Sequence, residues 1–212
     1  MKIEPAVMRL LRFRGVGSET LLDTALREAV VRAPSAMPGL LEAWAGRRRA
    51  EGSDERCIVT VSTSDDVLDG PLLDHLGLRT FDPSRLSIEV IEDLALPLAV
   101  AVSSERDACP RILRIVRGTT RRGELSRYVR AVEAGAAADV AARHGPLRLY
   151  LAEASPDAFV TASTWADWSD VEASTGGDAR HPEATRHPEL LQTTSVDHFE
   201  LVPGEAPSSR PT

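Results

Sequence analysis

Apolar and polar positions follow two different periods along this chain. Spacings of three and four begin after Ser18 or Glu19 and place one set of side chains on a single helix face: Leu22, Ala25, Leu26, Ala29 and Val30. A second helix is predicted at about residues 123–143. The segments CIVTVST and AFVTAST are rich in β-branched residues, which favours strands. The mixture predicts an α+β protein.

The pattern then repeats. VTVSTSDD at residues 59–66 returns as VTASTWAD at 160–167, with five of eight positions identical. Three more pairs match in the same order: LLRFRG with LRIVRG, MPGLLEAWAG with RHGPLRLYLA, and SIEVIE with SVDHFE. Because variation is confined to the spaces between the matches, the sequence indicates a duplicated structural unit.

Each copy predicts the order strand, helix, two strands, helix, strand. Such a βαββαβ unit places both helices on one face of a four-stranded antiparallel sheet and leaves the other face apolar and bare. Two units in one chain can cover each other's bare faces, so we expect a monomeric pseudo-dimer, with higher oligomers left open. The predicted first unit spans residues 1–105, the second spans 106–204, and 205–212 form a disordered tail.

Charge and hydropathy narrow the range of partners. The chain has 25 basic and 32 acidic residues, mixed along both halves, for a net charge of -7. This balance argues against a nucleic-acid partner. No apolar run approaches the roughly 20 residues of a membrane span, and MKIEPAVMRLLRFRG lacks the layout of a signal peptide. We therefore expect a cytoplasmic protein without a membrane partner.

The second copy has bulkier and more polar residues than the first at matched positions. When the two copies are aligned, Ser64 corresponds to Trp165, Val67 to Trp168 and Val90 to His198. Trp44 corresponds to Tyr150. We predict that Tyr150, Trp165 and Trp168 line a pocket for a small apolar or aromatic molecule. In the alternative interpretation, the two tryptophans fill the core or its rim and His198 is a hydrogen-bonded core residue.

A longer connection also distinguishes the second copy. In TGGDARHPEATRHPEL, residues 175–190, Gly176 and Gly177 are expected to end a helix, and prolines restrict the chain around His181 and His187. This composition is typical of a lid or pocket-edge loop. The two histidines and Glu183 do not have the spacing of a helical zinc site, so no metal site is predicted.

The order of elements, the strand ending VTASTWADWSD and the closing SVDHFELV resemble the dimeric α+β barrel superfamily. They resemble in particular its antibiotic biosynthesis monooxygenase and haem-degrading monooxygenase-like domains. The resemblance covers about residues 7–98 and 110–202, and it implies tandem ferredoxin-like βαββαβ units that form an intramolecular dimeric α+β barrel. The superfamily includes cofactor-free oxygenases acting on polycyclic phenols, haem-degrading enzymes and proteins of no assigned activity. Fold alone therefore does not select a function.

The haem-degrading members imply a site that this sequence matches only in part. They use an asparagine on an early strand, a tryptophan near the end of the third strand and a histidine that ligates iron. Trp165 matches the tryptophan, but the chain contains no asparagine. His181 and His187 lie in the region of the iron ligand. We expect no cofactor and keep haem as an alternative.

Two functional classes remain. In the first, the protein is a cofactor-independent or haem-linked monooxygenase, Trp165 shapes the pocket, and His198, His187 or His181 takes a proton from the substrate. In the second, it is a catalytically silent binding or structural domain. Strand alternation places His198 on one face with Val196 and Glu200.

Overall fold

The computed structural model describes residues 7–17, 19–36, 39–50, 53–63, 76, 86–177 and 187–202. The described residues form two compact units, one within Met1–Ala95 and Leu201–Thr212 and the other within Leu96–Glu200. The boundary expected near residue 105 stays a prediction, and the predicted tail lies outside the described residues. Among the helices described, none is long and apolar enough to cross a membrane.

The first unit contains four strands and one described helix. These are β1 (Val7–Gly17), α1 (Glu19–Ala36), β2 (Leu40–Arg48), β3 (Glu55–Ser62) and the first part of β4 (Leu86–Ser103). β1 and β2 pair with β3 in antiparallel fashion, and β4 neighbours β1, so the strand order is β4-β1-β3-β2. The second helix expected in this unit falls in residues 64–85, of which the structure describes only Leu76.

Helix α1 packs on this sheet through the face that its sequence predicts. Leu22, Ala25, Leu26 and Ala29 are buried in one cluster with the β1 and β3 side chains Leu11, Phe13 and Ile58. Val30 is half-buried against the same cluster. The stripe at spacings of three and four is thus confirmed, and its burial is the main source of stability for a helix of this kind.

A buried charge cluster joins the four strands of the first unit. The Glu55 carboxylate, with a side chain only 5% exposed, accepts from Arg12 Nε at 2.6 Å and from Arg48 Nη1 at 2.7 Å. Arg12 also lies 3.6 Å from a Glu92 oxygen on β4. Burying a carboxylate is costly unless it is paired, and here two guanidinium groups supply the pairing.

The second unit shows the complete predicted order of elements. It contains β5 (Ile112–Thr120), α2 (Leu125–Ala141), β6 (Arg148–Ser155), β7 (Ala158–Trp165), α3 (Trp168–Ser174), a 3-10 turn at Pro188–Leu190, and β8 (Leu191–Leu201). Its strand order is β8-β5-β7-β6, and residues 98–103 of β4 pair with β6.

The fold class is therefore confirmed as α+β. In both units the last strand lies beside the first, and the third strand lies between the first and the second. This shared order is what a duplication would produce, and the duplication itself remains an interpretation of the sequence.

The Glu55 cluster gives a test of the first unit. Replacing Glu55 by alanine leaves Arg12 and Arg48 without this carboxylate, so we expect the free energy of unfolding to fall by about 3 kcal/mol. Urea unfolding followed by circular dichroism measures the change. Asp54→Ala is the matched control, since Asp54 and Arg14 lie 3.8 Å apart with side chains more than half exposed. It should cost less than about 1 kcal/mol. Equal losses in the two variants would contradict this account.

Candidate functional site in the second unit

A cavity of about 500 Å³ lies between α2 and one face of the β5, β6 and β7 strands. Most of its wall is apolar or small: Val116, Tyr128, Ala131, Val132, Gly135, Ala142, Gly145, Pro146, Leu149, Trp165 and Ala173. The polar groups in the wall are Arg114, Asp139, Arg143, His144, Thr161, Ser163, Ser174 and His187. A concave, largely apolar wall with a few polar groups is typical of small-molecule sites.

Strand register decides which side chains reach this cavity. Arg114 on β5 is aligned with Ser163 on β7 and with His198 on β8. Residues directly opposite in neighbouring strands share a sheet face, so these three form one row on the cavity side. Tyr150 is aligned with Ala162 and therefore lies on the other face.

Arg114 places a positive charge in the cavity wall. The residue is only 7% exposed. It is a charged residue between two fully buried apolar neighbours on the strand, Leu113 and Ile115. A guanidinium is a planar fork of donors that matches anionic oxygens and also stacks on aromatic faces. The wall can therefore recognise an aromatic ligand that carries an acidic oxygen.

Trp165 is fixed in the wall by its own hydrogen bond. Its indole Nε1 donates to Ser163 Oγ at 3.0 Å, and the residue is 3% exposed. Ile112 and Val171 pack with it in a small core cluster. The indole consequently presents a defined surface to the cavity.

Trp168 extends this cluster, although it is not one of the residues that line the cavity. It is half-buried against the Trp165 cluster. Its ring centroid lies 5.0 Å from that of His198, with the planes tilted by 57°. The structure thus brings Trp165, Trp168 and His198 into one neighbourhood, but only Trp165 of the three lines the cavity.

Helix α3 carries Trp168 and is held at both ends. The Asp167 carboxylate accepts from the Asp170 backbone nitrogen at 3.0 Å and caps the first turn. Hydrogen bonds from the Ser169 hydroxyl and then from this amide lower the pKa of Asp167. At the other end, Gly176 and Gly177 adopt φ values of 67° and 97°, which glycine tolerates best. The predicted helix end is confirmed.

Tyr128 contributes a phenol from α2. Its ring centroid lies 4.5 Å from that of Phe159, and the residue is 3% exposed. Burial raises the pKa of Tyr128 to about 12. The phenol therefore remains protonated at neutral pH and can donate a hydrogen bond to a ligand oxygen.

The rim of the cavity holds a histidine–carboxylate pair that the sequence did not reveal. His144 Nδ1 lies 2.7 Å from Asp170 Oδ1, and Arg106 Nη1 lies 3.6 Å from the other carboxylate oxygen. These residues come from three separate segments, so no local spacing pointed to them. Arg114 was missed too, although a charged residue within an apolar strand was a usable signal.

The other candidate histidines fall in different places. His187 lines the cavity, and its Nδ1 lies 3.1 Å from Glu189 Oε1. The Glu189 backbone amide and then this imidazole lower the pKa of the Glu189 carboxyl. His181 lies outside the described residues. His198 shares its sheet face with Val196 and Glu200, as alternation predicted, while its counterpart Val90 is 44% exposed. The roles proposed for all three, and for Tyr150, stay predictions.

Two imidazoles could hold a metal-containing cofactor such as haem. In both His144 and His187 a carboxylate engages Nδ1, which directs Nε2 outward in the way that metal-ligating histidines are usually oriented. Such a group, when bound, would supply redox chemistry at its iron. Within the described part of the chain, no cluster of three or more His, Cys, Asp or Glu side chains is arranged to bind a bare metal ion.

Comparison with known proteins relates this chain to others through structure alone. No family model matches the sequence, and no curated protein matches it. A "putative monooxygenase" from Fusobacterium nucleatum has a similar structure, with a TM-score of 0.74, 8% identity and 97% of each chain covered. A second "putative monooxygenase", from Lactobacillus acidophilus, has a TM-score of 0.71 and 10% identity, with 94% of this chain and 95% of that chain covered.

Two further structures extend the likeness. A "putative chlorite dismutase" has a TM-score of 0.61 at 12% identity, with 94% of this chain and 96% of that chain covered. An anthrone oxidase-like protein has a TM-score of 0.55 at 10% identity, with 97% and 95% covered. These matches show that the chain has the fold of the dimeric α+β barrel proteins, as the sequence predicted. At such low identity they show the fold alone.

The buried phenol gives a pH-dependent test of the cavity. Between about pH 10 and pH 12 the unfolded chain releases the Tyr128 proton while the folded protein retains it. The free energy of unfolding should therefore fall as the pH rises through this window, by about 1.4 kcal/mol per pH unit. Tyr128→Phe should remove that part of the slope in urea unfolding.

Tyrosinate absorbance provides a direct control. The chain has two tyrosines, so the difference between the titrations of the wild-type protein and Tyr128→Phe reports Tyr128 alone. If that difference titrates near pH 10, the phenol is not buried as described.

Proposed function

We propose that the second unit is a monooxygenase-like domain that binds an aromatic small molecule with an acidic oxygen, such as a polycyclic phenol. The observation that carries this proposal is the buried Arg114 guanidinium in the wall of a cavity that is otherwise mostly apolar. The monooxygenase-like fold of the similar structures supports the reaction class.

Three side chains have separate roles in binding the ligand. The Trp165 indole packs against the ligand rings, since its Nε1 is already bonded to Ser163 and the ring is held in place. Arg114 pairs with the ionised oxygen of the ligand. Tyr128, which keeps its proton at neutral pH, donates a hydrogen bond to a second oxygen.

The cavity suits a reaction in which the substrate itself supplies the electrons. An activated CH₂ group between aromatic rings reacts with O₂ to give a ketone and water, so no reducing cofactor is required. The protein must take a proton from the substrate and stabilise the resulting anion in surroundings of low polarity. A cavity histidine takes the proton, and Arg114 stabilises the anion.

Two other functions are alternatives to the proposed one. Haem bound through His144 or His187 is the first, favoured by the carboxylate on each Nδ1. The second is a silent binding domain, which would hold the same ligand without consuming oxygen.

Dithranol, a dihydroxy anthrone with an activated CH₂ group, is the probe for the proposal. We expect purified protein to bind dithranol under nitrogen and to consume oxygen with it in air. Trp165→Ala should weaken binding by at least about tenfold, which corresponds to about 1.4 kcal/mol. Trp44→Ala is the matched control, because it removes the same side chain from β2 of the first unit. Equal losses in the two variants would overturn the assignment of the cavity.

The Arg114→Lys variant keeps the positive charge and removes the planar guanidinium, so it distinguishes the contributions of the two to binding. The variant should lose affinity for dithranol but not for anthracene, which has no oxygen for the guanidinium to bind. Binding without oxygen uptake would favour the silent domain. A Soret band formed with haemin and lost in His144→Ala or His187→Ala would favour the haem alternative.

A further inference from the structure

His144 stands at the rim of the second-unit cavity with one ring nitrogen held by Asp170. We propose that His144 Nε2 takes the proton from the ligand in this cavity, and that Asp170 and Arg106 are the residues that position it. This inference rests on the proposed function and names the proton acceptor within it.

The hydrogen bond selects the tautomer. An ionised carboxylate can only accept, so the contact of 2.7 Å between Asp170 Oδ1 and His144 Nδ1 places the ring proton on Nδ1. Nε2 then carries the lone pair. The His144 side chain is 46% exposed whereas that of Asp170 is 11% exposed. The carboxylate is shielded, whereas almost half of the imidazole side chain is accessible.

Arg106 holds both the carboxylate and the backbone that carries the histidine. Its Nη1 donates to the Arg143 carbonyl at 2.7 Å, and its Nη2 donates to the Gly145 carbonyl. The same guanidinium lies 3.6 Å from Asp170 Oδ2. One side chain thus connects the two carbonyls on either side of His144 with the carboxylate that orients the ring.

The loop that carries His144 is also packed closely on the end of α2. A Cβ atom at Gly145 would lie 1.8 Å from the Asp139 carbonyl oxygen, so only glycine fits at that position. The Gly145 amide donates to the Ala142 carbonyl at 3.0 Å. A reactive group held by a packed loop and by hydrogen bonds to its partner is pre-organised for proton transfer.

Charge around His144 suits the transfer. The charged and titratable groups described around the cavity and the pair are Arg106, Arg114, Tyr128, Asp139, Arg143, Asp170 and His187. Asp170 stabilises the imidazolium that forms, and Arg114 stabilises the anion left on the ligand. In the step itself, an O–H or C–H bond of the ligand breaks, an N–H bond forms at Nε2, and the electron pair stays on the ligand.

An anaerobic titration tests the step without turnover. With dithranol bound under nitrogen at neutral pH, the absorbance of its anion reports how much of the probe has lost a proton. We expect the ionised fraction to fall at least about tenfold in His144→Gln and in Asp170→Asn, because the imidazolium that pairs with the ligand anion is removed or loses its stabilising carboxylate. Glu172→Gln is the matched control, since it removes an exposed carboxylate from the same short helix, and it should leave the fraction unchanged.

The tautomer of His144 supplies a readout that requires no ligand. Nitrogen-15 imidazole spectra, with His144 assigned by its absence in His144→Gln, should show the proton on Nδ1 in the wild-type protein. In Asp170→Asn this preference should weaken, while circular dichroism shows that the fold is retained.

The outcomes separate this inference from the proposed function. Absence of dithranol binding would count against the proposed function, and the tautomer would still decide the positioning by Asp170. If dithranol binds and His144→Gln ionises it as well as the wild-type protein does, the inference is wrong. It is equally wrong if the loss appears only in His187→Gln, or if the wild-type proton lies on Nε2.

Discussion

The antiparallel register of β5 with its two neighbours is the constraint on which the second unit depends. Because β7 and β8 both pair with β5 along its length, a single alignment decides the face of every side chain in three strands. It places Arg114, Ser163 and His198 in one row. A shift of one residue would turn Arg114 away from the cavity and would replace it with Leu113 or Ile115. Strand pairing therefore determines which side chains can take part in the candidate site.

The two units pair their buried carboxylates in different ways. In the first, Glu55 is enclosed by Arg12 and Arg48, and this pairing offsets the cost of removing a carboxylate from water. In the second, Arg106 binds two backbone carbonyls as well as Asp170, so its charge also orders a loop. The first cluster stabilises a sheet, whereas the second holds an imidazole at the edge of a cavity.

Helix α3 shows how a small element controls the site. It has seven residues, too few for stability in isolation, and it depends on the Asp167 cap and on packing. Trp168, Asp170 and Val171 all belong to it. Through them it contacts His198, orients His144 and supports Trp165. The repeated strand-to-helix junction seen in the sequence is thus the segment that connects the core of the second unit to its candidate chemistry.

The sequence by itself determined the α+β class, the α1 face, the order of elements in the second unit and the helix end at Gly176. These follow from local periodicity, strand propensity and backbone preference, which nearby residues express. It also singled out Trp165 as a pocket residue. Only the tertiary structure decided that Tyr150 lies on the opposite sheet face, that Arg114 enters the cavity wall, and that Arg106, His144 and Asp170 meet. Those three come from segments far apart in the chain, and their meeting depends on how the helices and loops pack on the sheet, which no local pattern encodes.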